Sequence, residues 1–263
     1  MPDKKEVLQY PVILVHGVAI HDRKGLLEPW GRIPKVLKQY GVNVFLGNTD
    51  AWGDYESNAE ILKGTIGKIL ETTNREKVNI IAHSKGGIDS RYLIWRYGFG
   101  AKIASLTTLS TPHHGSEIAD LIYKQKIIHT RHGRKIIEVF SKLYGDKNPN
   151  MYNVTYQLTT GHMKGFNEKV KPDPRVYYQN FCVLMNNAFD DLKFFVTYNF
   201  LKGISGKNDG VVSKASADWE KGAVEIWGVS HDEIIDRKRK KISGMDIPSI
   251  YIDMVNKLAE KGF

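Results

Sequence analysis

The sequence contains 263 residues, 41% of them hydrophobic and 25% charged, and carries a formal net charge of +9. This length favours one large α/β domain, residues 1–263, and is ample for a sizeable hydrophobic core. No apolar run reaches the roughly 18 residues that a membrane-spanning helix needs, which excludes a transmembrane segment of that kind. A signal peptide is not recognisable either, so we expect a cytoplasmic protein or one exported by a non-classical route.

The excess positive charge is concentrated in two stretches, residues 124–135 and 237–241. Neither stretch has the interleaved aromatic residues that stack on bases, and no nucleic-acid-binding module is recognisable. We therefore predict a solvated basic surface without a nucleic-acid partner, and keep attraction to an anionic lipid or substrate surface as the alternative. Cys182 is the only cysteine, which excludes an intrachain disulfide and a cysteine-based zinc site; we predict a buried, unreactive thiol.

Strand-like and helix-like segments alternate along the chain. The predicted strands are short apolar runs, at residues 10–16, 42–46, 78–82, 103–109, 176–184 and 224–227. The predicted helices have apolar residues at helical spacing, over residues 34–40, 58–73, 88–97, 192–201 and 248–261. This alternation predicts an α/β fold with a mostly parallel central sheet that is covered by helices on both faces.

Residues 116–170 interrupt the alternation, because they show helical patterns but no good strand. One apolar stripe comprises Ile118, Leu121, Ile122 and Ile128, and a second lies within residues 136–144. A structureless loop of this length is uncommon in a compact domain. We predict a helical insertion that lies over the sheet as a lid; the alternative is that the stripes simply pack onto the sheet.

A serine follows the third predicted strand, in the segment Ala82-His83-Ser84-Lys85-Gly86. Small residues on both sides permit a sharp strand-to-helix turn, which lifts the serine hydroxyl clear of the sheet, as in the nucleophile turn of α/β-hydrolases. The helix that follows presents N–H groups and the positive end of its dipole to developing negative charge. Ser84 is therefore the predicted nucleophile, and an ordinary N-cap serine is the alternative.

In α/β-hydrolases the nucleophile is followed along the chain first by a carboxylate and then by a histidine. His231 is the histidine that comes after the last predicted strand, and such a loop places it at the carboxyl edge of the sheet, where open sheets keep their sites. Asp209 lies in a turn just upstream of that strand, and it is the predicted acid. Its rivals are Asp190, Asp191 and Asp218, and the other histidines after Ser84 are His113, His114, His129, His132 and His162.

When the serine attacks an ester, the carbonyl oxygen becomes an oxyanion. Backbone N–H groups beside the nucleophile are needed to donate hydrogen bonds to it. The segment His16-Gly17-Val18 directly follows the first predicted strand, where this fold finds its second donor. We therefore predict that the backbone N–H groups of Val18 and Lys85 form the oxyanion hole, with His16 packed to hold the loop.

Together these segments resemble the bacterial true lipases of the Pseudomonas, Burkholderia and Proteus type, a triacylglycerol lipase family of the α/β-hydrolase superfamily. The resemblance implies hydrolysis of triacylglycerols or related carboxylic esters, a helical lid, the triad Ser84, Asp209 and His231, and an oxyanion hole framed by His-Gly-Val and Ser-Lys. The matching segments occur in family order, cover most of the chain, and lie at residues 11–17, 78–87, 110–116, 208–212 and 231–233.

The resemblance also implies a structural calcium ion beside the catalytic histidine, bound by an aspartate two residues after it. This sequence has Glu233 at that position and Asp232 one residue earlier, while Asp190 or Asp191 could supply the other acidic ligand. The sequence therefore leaves the metal site open, and the chemistry itself needs no cofactor. Ala82, at a place where glycine is commoner, is a second and sterically mild departure.

We therefore expect a serine carboxylic-ester hydrolase, a lipase or esterase of lipid degradation, that cleaves acylglycerols or similar fatty-acyl esters through an acyl-enzyme on Ser84. Its partner would be an ester or lipid substrate, met at a lipid–water interface. A polyester hydrolase or acyltransferase with the same triad, and a non-catalytic binding protein on this fold, are the alternatives. Acyl-chain length and oligomeric state are not determined by the sequence.

Overall fold

The computed structural model describes residues 7–19, 22, 29–125, 130, 146–220 and 222–263, and the structural statements that follow concern these residues. Their strands are β1 (Val12–Val15), β2 (Val44–Leu46), β3 (Val78–His83), β4 (Ile103–Leu109), β5 (Tyr177–Leu184) and β6 (Val224–Trp227). All six pair in parallel in the order β2-β1-β3-β4-β5-β6. The strand order reverses between β1 and β3, and open parallel sheets bind ligands at such a point.

Helices connect these strands. They are α1 (Ile33–Tyr40), α2 (Tyr55–Thr73), α3 (Lys85–Tyr97), α4 (Glu117–Tyr123), α5 (Met151–Gln157), α6 (Thr160–Lys169), α7 (Phe195–Ser205), α8 (Lys214–Ala217) and α9 (Ile247–Glu260). Short 3₁₀ turns lie at Phe99–Ala101, Leu192–Phe194 and Glu233–Ile235. None of the described helices combines the length and apolar character that crossing a bilayer requires.

The sheet is buried on both faces because alternate strand residues enter two different hydrophobic clusters. In β1, Val12 and Leu14 join the cluster that includes residues of α1 and α9. Ile13 and Val15 point the other way and join residues of α2 and α3. The predicted architecture, a parallel sheet with helices on both faces, is confirmed.

Several predicted helix boundaries differ from the observed ones, and the helix expected over residues 88–97 begins at Lys85. The helix expected from residue 58 begins at Tyr55, because the Asp54 carboxylate accepts the N–H of Ser57 at 2.9 Å and caps the helix earlier. The helix expected over residues 192–201 is a 3₁₀ turn at Leu192–Phe194 followed by α7. Cys182 is buried as predicted, and burial raises the pKa of its thiol to about 12.

The predicted insertion is described in part. Residues 116–125, 130 and 146–170 contain α4, α5 and α6 and no strand. Helix α4 packs against α5 and also contacts α6 and α7. Ile128 and the second apolar stripe, residues 136–144, lie outside the described residues. The assignment of this region as a lid therefore stays a prediction.

Candidate active site

The chain turns sharply between β3 and α3, and Ser84 is the residue at the turn. Its backbone has φ 54° and ψ −130°, a conformation that residues other than glycine adopt only under strain. A Cβ atom at Gly86 would lie 2.6 Å from the carbonyl oxygens of Val15 and His16. The close approach of β1 to this turn therefore requires glycine at position 86.

The loops that follow β1 and β4 also contact the turn at Ser84. Gly17 follows β1, and a Cβ atom there would lie 2.7 Å from the Cβ of Ser84. Thr111 follows β4, and its hydroxyl donates a hydrogen bond of 2.8 Å to the carbonyl oxygen of Ser84. The carboxyl ends of β1, β3 and β4 thus meet at the serine, and the contact from Thr111 was not predicted from the sequence.

His231 and Asp209 lie beside the serine hydroxyl. His231 follows β6, and its Nε2 is 3.0 Å from Ser84 Oγ. Its Nδ1 is 2.7 Å from Oδ2 of Asp209, which lies in the turn between α7 and α8. The backbone N–H of His231 also donates to the carbonyl oxygen of Asp209 at 2.9 Å. The structure therefore brings together the three side chains that were predicted as a triad.

The surroundings of Asp209 and His231 shift their pKa values in opposite directions, lowering that of Asp209 and raising that of His231. Burial by itself would raise the pKa of Asp209, but His231 and the N–H groups of Val211 and Val212 lower it. Burial by itself would lower the pKa of His231, but the charges of Asp209 and Asp232 and the hydrogen bond to Asp209 raise it. An ionised carboxylate only accepts, so Nδ1 carries the proton and Nε2 is left to accept from Ser84.

The rival residues bond elsewhere. His129 and His132 lie outside the described residues. The other three histidines contact other partners: His113 contacts Arg91, His114 the carbonyl of Asp218, and His162 the hydroxyl of Tyr55. The three rival acids accept hydrogen bonds from groups other than the His231 ring: Asp190 from the N–H of Asn186, Asp191 from the hydroxyl of Ser230, and Asp218 from the N–H of Ala223.

The two residues predicted to donate to the oxyanion both lie near the serine, since Lys85 directly follows Ser84 and Val18 lines its cavity. Lys85 is the first residue of α3, so its N–H has no carbonyl acceptor within the helix. Val18 lines the same cavity as Ser84 and His231. The side chain of Lys85 is buried and pairs with Asp89 at 2.5 Å, and Asp89 also accepts from Asn58 of α2 at 2.8 Å. This buried pair anchors the start of α3, the segment that presents the Lys85 N–H.

A cavity of about 250 Å³ opens over Ser84. Its walls are mainly apolar, and the helices α4 and α5 of the insertion supply Ile118, Ala119, Ile122, Met151 and Val154. Two larger hollows of about 670 and 590 Å³ lie along β5 and beside α6, and neither is lined by a triad residue. The chemistry therefore belongs to the smaller, apolar cavity.

His83 precedes Ser84 and contacts His231. Its Nε2 donates a hydrogen bond of 3.0 Å to the carbonyl oxygen of His231, and the two ring centroids are 4.6 Å apart. Burial, together with the charge of His231, lowers the pKa of His83 to about 3. His83 is therefore neutral and holds the backbone of His231. The sequence motif contained this residue, but its role was not predicted.

The acidic residues that the resemblance associates with calcium lie beside the loop that follows β6. Glu233 Oε1 is 2.5 Å and Asp191 Oδ2 is 3.3 Å from the ammonium nitrogen of Lys238. Asp232 instead pairs with Lys193. Among the described residues, no group of three or more His, Cys, Asp or Glu side chains is placed to hold a metal ion. Lys238 belongs to the basic run predicted as solvated, and it is exposed as expected, but its pairing with Glu233 and Asp191 was not predicted.

Comparison with known proteins places the chain among characterised sequences. The palmitoyl protein thioesterase family model matches residues 11–219. Triacylglycerol lipase 2 of Saccharomyces cerevisiae is 29% identical over 260 residues, which cover 90% of this chain and 75% of that protein. A triacylglycerol lipase of Burkholderia plantarii is 36% identical over 124 residues, which cover 46% of this chain and 34% of that lipase.

The fold has relatives among solved structures. The crystal structure of Staphylococcus hyicus lipase superposes with a TM-score of 0.77 at 16% identity, covering 99% of this chain and 97% of that one. This superposition confirms the predicted α/β-hydrolase fold. The Burkholderia relative confirms the resemblance to the bacterial triacylglycerol lipases.

Proposed function

The chain belongs to the palmitoyl protein thioesterase family and is a carboxylic ester hydrolase of the α/β-hydrolase fold, and from this premise we propose that it cleaves fatty-acyl esters through an acyl-enzyme on Ser84. One observation carries the proposal. A continuous series of hydrogen bonds runs from Asp209 through His231 to the hydroxyl of Ser84, at the floor of an apolar cavity.

The proposed reaction has two steps. In the first, His231 Nε2 takes the proton of Ser84 Oγ as that oxygen attacks the ester carbonyl, and the protonated His231 then donates to the departing alcohol. In the second, His231 activates a water that releases the fatty acid. Asp209 orients His231 and stabilises its positive charge, and the N–H groups of Val18 and Lys85 hold the oxyanion. No cofactor takes part.

The apolar lining of the cavity is suited to bind an acyl chain. Apolar side chains of α4 and α5 form the wall beside Ser84, so an alkyl chain bound there is removed from water. The yeast and Burkholderia relatives are named triacylglycerol lipases. An acylglycerol is therefore the first substrate class to test.

A fatty-acyl thioester is the second candidate substrate, and the match to the palmitoyl protein thioesterase model favours it. A serine triad forms the same acyl-enzyme from an ester or a thioester, and the two differ only in the leaving group. The comparison that separates them uses one acyl chain, palmitoyl, on an alcohol and on a thiol.

We also propose that the enzyme works at a lipid surface. Leu121 and Ile122 of α4 are 44% and 38% exposed next to the cavity. On α7, which contacts α4, Val196, Phe200 and Ile204 form an exposed stripe at a spacing of four residues. Lys202 lies on another face of the same helix and Lys207 follows the helix, and both are exposed. Exposed apolar side chains favour binding to a lipid surface, and basic residues in the same region favour an anionic one.

The test of the nucleophile uses two serine variants. Ser84→Ala should lower hydrolysis of a p-nitrophenyl ester by roughly 10⁶-fold and abolish labelling by a fluorophosphonate probe. Ser90→Ala is the matched control, because Ser90 is also buried on α3 but donates to the carbonyl of Gly86. Near-wild-type turnover by Ser84→Ala would contradict the proposal. The wild-type ratio of kcat/KM on palmitoyl ester and palmitoyl thioester then ranks the two substrate classes.

The test of the lipid surface removes the apolar stripe. Val196→Ser with Phe200→Ser should weaken binding to anionic vesicles and lower the rate on emulsified triacylglycerol, while hydrolysis of a soluble short-chain ester stays unchanged. Equal rates of the variant and the wild type on the emulsion would contradict the proposed surface.

A further inference from the structure

Two carboxylates beside His231 pair with the ammonium group of Lys238, whose side chain is 40% exposed. Glu233 lies in the 3₁₀ turn after β6, and Asp191 comes from the loop before α7. Both side chains are buried, with exposures of 2% for Glu233 and 8% for Asp191. The nitrogen of Lys238 is 2.5 Å from Oε1 of Glu233 and 3.3 Å from Oδ2 of Asp191. The ammonium group therefore links two segments that are distant in the chain.

The same two carboxylates hold the residue that precedes His231. The hydroxyl of Ser230 donates to Asp191 Oδ2 at 2.8 Å, and its backbone N–H donates to Glu233 Oε2 at 2.9 Å. Ser230 is fully buried. Because Ser230 is bonded directly to His231, these carboxylates help to hold the backbone segment that carries His231.

A calcium ion does not fit between these residues. Calcium takes about 6–8 oxygen ligands at roughly 2.3–2.6 Å. Glu233 occupies the family's ligand position, yet the space against its Oε1 is filled by the nitrogen of Lys238. A divalent cation placed there would meet the positive charge of that lysine. Asp190, the other candidate ligand, instead caps its own loop by accepting the N–H of Asn186.

We propose that Lys238 is a built-in cation that takes the place of the structural calcium of related lipases, so that the loop of His231 is held without a metal. The carboxylates of Asp191 and Glu233 face the single positive charge of Lys238. The N–H and O–H of Ser230 donate to these carboxylates and compensate part of the excess negative charge.

The segment that carries Lys238 has a second, independent anchor. Asp236 adopts φ 59°, which turns the chain back toward Glu233. Its carboxylate accepts three hydrogen bonds from Arg32, through the backbone N–H, Nε and Nη2, at 2.7, 2.9 and 2.7 Å. A variant that lacks the Lys238 charge keeps this anchor, so we expect it to fold.

The experiment measures the melting temperature with EGTA and with millimolar calcium. For the wild type we expect no difference between the two conditions. Lys238→Met keeps the length of the side chain but removes its charge, and should lower Tm by roughly 2–4 °C in EGTA. Calcium should raise the Tm of this variant, because the two carboxylates are then open to a cation. Lys238→Arg should stay close to the wild type, and the exposed neighbour Lys240→Met is the matched control.

A further variant separates charge from packing. In Lys238→Met with Glu233→Gln one of the two uncompensated charges is gone, so Tm in EGTA should rise above that of Lys238→Met and the response to calcium should shrink. The proposal is overturned if wild-type Tm falls in EGTA and recovers with calcium, if calcium leaves Lys238→Met unchanged, or if Lys238→Met melts like Lys240→Met. These melting temperatures need no substrate, so they are independent of the proposed ester hydrolysis, which labelling of Ser84 reports.

Discussion

Two carboxylate–cation clusters support the loop after β6, and they are built for opposite purposes. In the catalytic cluster (Asp209, His231 and Ser84), one carboxylate faces an imidazole whose other nitrogen reaches a hydroxyl in the cavity. In the support cluster (Asp191, Glu233 and Lys238), two carboxylates face an ammonium group that has no role in proton transfer. An imidazole changes its charge near neutral pH, whereas a doubly paired lysine does not.

This difference separates reactivity from rigidity between His231 and Lys238, which lie seven positions apart in the chain. The catalytic cluster needs a cation that forms and disappears in each turnover, so its histidine faces the cavity and the substrate. The support cluster needs a cation that stays charged in each turnover, and its lysine pairs with two acids. Damage to the first should therefore remove turnover with little loss of stability, and damage to the second should lower stability first.

The largest expected effect is at the catalytic carboxylate. Asp209→Asn keeps the size of the side chain but removes its charge, so it should lower kcat by roughly 10⁴-fold, because the required tautomer and charge of His231 are no longer stabilised. Measurement of kcat on a soluble ester checks this, with Asp190→Asn as a control acid outside the cluster. A loss of less than tenfold would assign the acid's role to another residue.

The next effect is the pH dependence. His231 must be neutral to take the proton of Ser84, and its pKa is raised above the ordinary histidine value, chiefly because Asp209 outweighs the opposing effect of burial. Activity should therefore fall as the pH decreases through that raised pKa, by about tenfold per unit once His231 is protonated. A pH profile of kcat/KM checks the position of this limb.

The variant Lys238→Met provides the comparison for the pH profile. Its acid limb should stay where the wild type has it, because Lys238 does not contact the imidazole. An acid limb shifted by a full unit in Lys238→Met would show that the two clusters are coupled through charge.

A smaller effect is expected from the support cluster. Glu233→Gln removes one of the two charges that enclose Lys238 and weakens the bond to the N–H of Ser230, and should cost about 1–2 kcal/mol of unfolding free energy. Urea unfolding checks this value, and kcat should change by less than threefold. A Glu233→Gln variant with normal stability but much lower kcat would place Glu233 in the catalytic cluster instead.

The smallest effect concerns the hydrogen bond from His83 to the backbone of His231. His83→Phe keeps a planar ring but removes the donor to the carbonyl oxygen of His231, which is worth about 1 kcal/mol. We expect roughly a fivefold decrease in kcat with little change in KM. His83→Gln retains a donor and should recover part of the rate, whereas equal rates for both variants and the wild type would remove His83 as a positioning residue.

Much of the catalytic cluster was predictable because its parts have local signatures. Ser84 lies in a turn that needs glycine at position 86 for a steric reason, and Asp209 and His231 follow in the order that this fold requires. The parallel sheet was predictable as well, because a strand buried on both faces is apolar at successive positions, as in β1.

The support cluster was not predictable in the same way. Asp191 and Lys238 lie 47 residues apart in the chain, and neither sits in a motif with a mechanism of its own. By pattern alone Lys238 belongs to a basic run typical of solvated surface, and Asp191 is one of two adjacent aspartates. Their partnership depends on the turn at Asp236 and on its anchor to Arg32, a contact between residues 204 positions apart.

The sequence by itself therefore determined the α/β architecture, the nucleophile turn and the order of the triad, because each depends on neighbouring residues or on the alternation of elements. Only the tertiary structure decided that Ser84, His231 and Asp209 lie within hydrogen-bonding distance, and that a lysine fills the space between Asp191 and Glu233. The physical reason is that local patterns determine elements and turns, whereas the pairing of buried charges depends on which loops the fold brings to one edge of the sheet.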